Sequence, residues 1–170
     1  TITMVDAPTR IRISKLDITT GEEVPGAELQ IVDSDGHVVD SWTSGVEPHT
    51  IEGKLIAGAT YTLVETLAPT AEGYVPAQSI RFTVEDDGKV QQVFMQDDYT
   101  KVSISKTDIA TGAEVPGAHL QIVDGEGNIL AEWVTDGTPH YIERLPVGTL
   151  TLVETQAPTE DGYVRAENVT

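Results

Sequence analysis

The sequence predicts an all-β protein built as β-sandwich domains in tandem. Three observations predict it: short β-rich runs bounded by turn residues, no segment with the 3.6-residue period of a substantial helix, and a long internal repeat. Ile13-Ser14-Lys15-Leu16-Asp17-Ile18 returns as Ile104-Ser105-Lys106-Thr107-Asp108-Ile109, 91 positions downstream. Glu-Val-Pro-Gly-Ala at Glu23–Ala27 returns at Glu114–Ala118, and Leu-Val-Glu-Thr at Leu63–Thr66 returns at Leu152–Thr155. A period this long is a whole small domain, not a solenoid unit that needs neighbours to bury its core.

The first strand is expected over Arg10–Lys15, where Arg-Ile-Arg-Ile-Ser-Lys alternates. Thr20-Gly21 ends that region. Leu29–Val32 is the next β-rich run, and Asp33-Ser34-Asp35-Gly36 turns the chain after it. Tyr61–Val64, Ile80–Val84 and Val90–Met95 follow, the last two separated by Asp86-Asp87-Gly88. In the second copy Gly125-Glu126-Gly127-Asn128 supplies a turn. Strands of this length with a turn every 8–12 residues or so read as a sandwich. Trp42 and Trp133, again 91 apart, are expected in core or inter-sheet packing rather than in ligand stacking.

A chain of 170 residues accommodates two domains, each large enough for its own core. A net charge of −18 argues against nucleic acid or an anionic membrane surface as partner. Cysteine is absent, which excludes disulfides, thiol chemistry and cysteine-based metal sites. No apolar run is long enough to cross a bilayer and no basic-then-apolar leader opens at Thr1, so the stretch reads as soluble or as part of something larger.

The repeat boundaries give three segments. Met4-Val5-Asp6 matches Met95-Gln96-Asp97, so residues 1–8 read as the closing strand of a preceding repeat. Residues 9–98 form a complete domain. Residues 99–170 form a second domain without its last strand, because Thr170 aligns with Arg81 and no counterpart of Phe82–Asp97 follows. The linker Asp98–Lys101 is short and lacks Gly and Pro, which suggests a fairly fixed orientation of neighbours.

These motifs resemble the Cna B-type, or SpaA-like, domains of Gram-positive surface proteins and pilins. The first is the lysine strand Ile13-Ser14-Lys15-Leu16-Asp17 followed by Thr20-Gly21 and Pro25-Gly26-Ala27. The second is Leu63-Val64-Glu65-Thr66 with Ala68-Pro69 and Gly73-Tyr74, and the third is the closing Met95-Gln96-Asp97. The two extra residues in Ala-Pro-Thr-Ala-Glu-Gly-Tyr depart from the shorter common form. The resemblance implies immunoglobulin-like, prealbumin-like sandwiches serving as a stalk on the cell wall, extracellular and without cofactor, metal or nucleic acid. Neighbouring repeats would be the partners.

The resemblance also implies a self-formed isopeptide bond between a lysine and an Asp or Asn, assisted by a Glu. By motif Lys15 is the amine, Asp97 the carboxyl and Glu65 the catalyst; Asp98 is the reserve carboxyl, since a shift of one residue reverses its face. Burial suits such chemistry, because desolvation favours the neutral forms of amine and carboxyl alike. Folding supplies the effective concentration that drives amide condensation. The bland alternative for Lys15 and Glu65 is a buried salt bridge or a solvent-facing pair. In the second copy Lys106 and Glu154 recur without a downstream carboxyl, and Asp6 alone shares the Met-x-Asp context. Three readings stand: a stretch of a longer array, a strand donated by one molecule to the next so that Asp6 bonds Lys106, or a loop cut within an intact assembly.

Other motifs fail on spacing. Leu145-Pro146-Val147-Gly148-Thr149 approximates a sortase signal with its Gly and Thr transposed, and reads as a turn. Asp33-Ser34-Asp35-Gly36 starts like a calcium loop but places Ser44 where the closing Glu belongs. His37, His49, His119 and His140 show no ligand spacing. The rival to a stalk is a module whose loops bind a host protein or carbohydrate. A turnover enzyme would require a constellation outside the repeats, and the sequence offers none.

Overall fold

The computed structural model describes all of Thr1–Thr170, which divides into two compact units, Thr1–Tyr99 and Thr100–Thr170. None of its helices is long and apolar enough to cross a membrane. In the first unit seven strands run in chain order: β1 (Arg10–Asp17), β2 (Glu28–Val32), β3 (Val38–Thr43), β4 (His49–Glu52), β5 (Thr60–Leu67), β6 (Ile80–Thr83) and β7 (Val90–Asp97). They form two sheets, β4-β1-β7 and β3-β2-β5-β6. Every pairing is antiparallel except β1 with β7, which run parallel in register from Arg10↔Val90 to Asp17↔Asp97.

The alternation of β1, β5 and β7 sends every second side chain into the sandwich. Ile11 and Ile13 of β1, Leu29 and Ile31 of β2, Leu63 of β5 and Met95 of β7 are all buried there. Burial of each contributes about 1.5–3 kcal/mol. Trp42 on β3 stacks on His49 on β4, ring centroids 4.1 Å apart, so it joins the edges of the two sheets. β3 and β4, rich in polar residues, are strands in addition to the runs singled out from the sequence. β5 extends past Val64 to Leu67, and β6 stops at Thr83.

The second unit holds β8 (Lys101–Ile104), β9 (His119–Val123), β10 (Ile129–Val134), β11 (His140–Glu143) and β12 (Thr151–Gln156). Its sheets are β11-β8 and β10-β9-β12. The Trp–His stack recurs between Trp133 and His140 at 4.4 Å. β8 stops at Ile104, whereas β1 runs to Asp17, so Lys106 lies beyond the strand that the repeat predicts for it. The cause is non-local: the far half of β1 is laddered by β7, and no strand occupies that side of β8. Residues 1–9 form no strand either, and Ile2, Met4, Val5 and Asp6 are exposed.

Both units close the strand after the tryptophan with a left-handed residue. Gly53 (φ 67°) and Arg144 (φ 65°) each donate N–H, to Thr9 O at 2.8 Å and Thr100 O at 2.9 Å. A side chain in this backbone region costs about 1–2 kcal/mol. Arg144→Gly is therefore expected to stabilise the second unit by about 1 kcal/mol, part of the relief being offset by glycine's freedom in the unfolded chain. A rise in the urea midpoint of that unit checks it.

Candidate functional site: a buried lysine between two carboxyl groups

Lys15, Asp97 and Glu65 occupy inward slots that ordinary core residues would fill. Ile11 and Ile13 precede Lys15 on the inner face of β1, Val93 and Met95 precede Asp97 on β7, and Tyr61 and Leu63 precede Glu65 on β5. Lys15 is paired across the parallel ladder with Met95, which sets Asp97 diagonally beside it in the same sheet. Glu65 reaches the pair from the opposite sheet. The Lys15 Nζ donates a short hydrogen bond to Asp97 Oδ1 and lies 3.2 Å from Glu65 Oε1. The lysine side chain is 1% exposed and the carboxyls 0%. Asp98, the reserve carboxyl, is turned away and accepts the N–H of Tyr99 at 2.8 Å.

The charge balance of this pocket is constrained. One ammonium and two carboxylates would leave a net negative charge out of water, which is expensive. Retaining one proton removes it. Burial pushes the Asp97 carboxyl up to about 6, against the opposing pull of Lys15. Glu65 Oε1 and Asp97 Oδ2 are buried and make no hydrogen bond: Oε1 is at ion-pair distance from the Nζ but outside hydrogen-bond direction. The other Glu65 oxygen accepts the N–H of Ala77 at 2.6 Å, so the unpartnered oxygen faces the lysine.

The second unit repeats half of this arrangement. Lys106 Nζ lies 3.7 Å from Glu154 Oε1, and Glu154 Oε2 accepts the N–H of Ala166 at 2.5 Å, as Glu65 does from Ala77. Glu154 Oε1 is again buried without a hydrogen bond. The Lys106 side chain is 20% exposed, and no carboxyl takes the place that Asp97 has in the first unit. Asp6 is exposed in the irregular stretch before β1. Beside the unladdered edge of β8 runs a groove of about 560 Å³, lined by Val102, Ile104, Ile122, Leu152 and Val169 among others.

The SpaA prealbumin-like fold domain matches residues 9–99 and again 100–170. The chain belongs to that family. Among solved structures, this chain resembles the Bacillus anthracis TIE protein at 26% identity and a TM-score of 0.56, over 96% of this chain and 31% of that one. The tandem thus spans about a third of that protein's length. It also matches the shaft pilin SpaA of Lactobacillus rhamnosus GG (16% identity, TM-score 0.46, 96% of this chain and 92% of that). A streptococcal ancillary pilin matches at 16% identity and a TM-score of 0.46, covering 95% and 57% of the two chains. No curated protein matches.

Two polar features around the lysine site were not read from the sequence. Asp17 accepts the N–H groups of Thr19 and Thr20 at 2.8 and 3.0 Å and the hydroxyl of Tyr74 at 2.7 Å. Asp108 does the same with Ala110, Thr111 and Tyr163; the Thr111 N–H first, then the tyrosine hydroxyl, hold its carboxyl below the usual range. The recurring Asp-x-x-Thr-Gly and Gly-Tyr motifs carried that signal. Glu23 and Glu114 accept the backbone N–H of Lys15 and Lys106, at a spacing of eight residues in both repeats. Asp33, Asp35 and His37 do come together, within 4.8 Å, on the turn after β2. They are largely exposed, and Asp33 Oδ1 is occupied by the N–H groups of Asp35 and His37, which is what a tight turn requires.

The raised Asp97 carboxyl carries a pH signature wherever it stands as a free acid, as it would in Glu65→Gln. The folded state holds the proton more tightly than the unfolded one. That contribution is complete below the ordinary value of 3.8 and is lost as pH rises through the raised folded-state value, which is about 6 with Glu65 in place and lower once Glu65, which also raises it, is removed. Burial, the largest cause, survives the substitution. If the wild type is bonded there and so has no such carboxyl to titrate, the thermal midpoint of Glu65→Gln is expected to fall relative to it as pH rises from about 4 towards neutrality. Parallel melts of the two proteins across that range check it.

Proposed function

We infer that the chain is a pair of load-bearing stalk domains from a protein of the Gram-positive cell surface, the first locked by an amide bond between Lys15 and Asp97. The observation that carries the reading is the fully buried lysine held between two carboxyls, one on the neighbouring strand and one from the opposite sheet. Family membership supports the stalk role.

The bond would form by condensation. Proton transfer inside the pocket converts the ammonium–carboxylate pair to amine and carboxylic acid. The Lys15 Nζ lone pair attacks Asp97 Cγ. Glu65 takes a proton from the nitrogen at Oε1 and delivers it to the departing Asp97 oxygen, which leaves as water with the acid's own proton. Atoms balance as amine plus acid giving amide plus one water, and Glu65 ends unchanged. This is a single self-modification without turnover.

For the second domain, Lys106 and Glu154 are proposed to take a carboxyl from a strand that pairs along the free edge of β8. Within this chain the candidate is Asp6, whose exposed Ile2 and Met4 match the buried Val93 and Met95 of β7 in position. Joined head to tail, one copy would supply Asp6 to Lys106 of the next.

Intact mass under denaturing conditions tests both parts. A chain lighter by one water is expected from the Lys15 bond, with the loss abolished in Lys15→Ala. Covalent multimers on a denaturing gel are expected if Asp6 joins copies. An unmodified monomer would overturn the isopeptide reading and leave two β-sandwiches with a buried ion pair.

A further inference from the structure

We propose that Glu23 and Glu114 are positioning residues that set the two lysines for attack, an inference that rests on the isopeptide reading above. β1 keeps its β4 partner only as far as Ile13↔His49, yet the lysine lies two residues further on. The edge left there is closed by the segment after the Thr20-Gly21 turn. Val24 donates its N–H to Lys15 O at 2.7 Å, and Lys15 donates its own N–H to Glu23 Oε2 at 3.1 Å. The lysine backbone is therefore tied on both of its groups, one to main chain and one to a carboxylate.

That tie decides where the side chain goes. A strand residue that slips by one position sends its side chain to the other face, and here the other face is solvent. A carboxylate acceptor makes a stronger hydrogen bond than a neutral one, so it holds the pleat where the ladder has ended. The second domain separates this effect from the carboxyl-bearing strand. β8 ends at Ile104 and has no strand along its far edge, but Lys106 still donates to Glu114 Oε2 at 3.2 Å and still accepts from Val115 at 2.7 Å. Lys106 Nζ stays within 3.7 Å of Glu154. The clamp thus presets the amine against its glutamate before any carboxyl arrives.

The test follows newly made full-length chain from cell-free translation, quenched in denaturant at intervals and weighed. Four proteins are compared: wild type, Glu23→Ala, Glu23→Gln and Ser44→Ala. Ser44 braces the same turn without touching Lys15, accepting from Ala27 at 2.9 Å and donating to Val24 O at 2.7 Å. Glu23→Ala is expected to lose water roughly ten- to a hundred-fold more slowly than wild type, as for a reactant displaced by a fraction of an ångström or more. Glu23→Gln, which keeps an oxygen acceptor, is expected to recover most of that rate. Ser44→Ala is expected to melt earlier yet bond at the wild-type rate. Bonding of Glu23→Ala at the wild-type rate, or equal slowing in Ser44→Ala, overturns the positioning role alone. A wild type that never loses water removes the isopeptide reading, and this proposal with it.

Discussion

Glu65→Gln is expected to leave the first domain uncrosslinked and to lower its thermal midpoint by roughly 15–40 °C. The bond would tie residues 82 apart in sequence. By the chain-entropy treatment used for disulfides, a loop of that size stabilises by about 4–5 kcal/mol, and each kcal/mol moves the midpoint of a domain this small by about 4–8 °C. Glutamine retains the volume of Glu65 and an oxygen that can accept from Ala77, so packing changes little. The sign of the effect separates the two readings of the pocket. Were Lys15 merely the cation of a buried ion pair, removing one of two carboxylates from around it would relieve charge and leave stability unchanged or raised. Calorimetry and intact mass on the same sample decide between them.

Much of the pocket was legible because it is built from alternation. Lys15, Glu65 and Asp97 each continue an inward row that begins with apolar residues, and duplication of the Lys and Glu motifs at Lys106 and Glu154 made them stand out. Asp97 was chosen over Asp98 by the family's closing Met-Gln-Asp motif, and β7 sets it diagonally beside Lys15, whose direct partner in the ladder is Met95. Features that depend on partners far away in sequence were not legible. β8 ends early because no strand ladders its far edge, and nothing local in Ile104-Ser105-Lys106 reports that. β3 and β4 were passed over because Asp40, Ser41, His49 and Thr50 dilute their apolar signal; the Trp42–His49 stack becomes visible only once the sheets face each other. Glu23 acts through one hydrogen bond to backbone and leaves no mark in hydropathy.

Under tension, a wild-type chain held at its two ends is expected to yield no extension from the first domain, whereas Glu65→Gln releases roughly 270–295 Å more contour. The topology sets this result. Force enters at the start of β1 near Arg10 and leaves at the end of β7 at Asp97, opposite ends of two parallel neighbours. Without a bond, the load shears the β1–β7 ladder, whose hydrogen bonds fail together, and the whole domain between them pays out. With the bond, tension runs through Arg10–Lys15, crosses to Asp97 and continues, so the residues between 15 and 97 lie outside the path. Those 82 steps, at about 3.3–3.6 Å each, are the hidden length. The second domain offers an internal reference, since Lys106 has Glu154 beside it but no counterpart of Asp97, and should extend alike in both proteins. Single-molecule pulling that shows the same number of unfolding steps for wild type and Glu65→Gln would mean that Lys15 and Asp97 carry no covalent load.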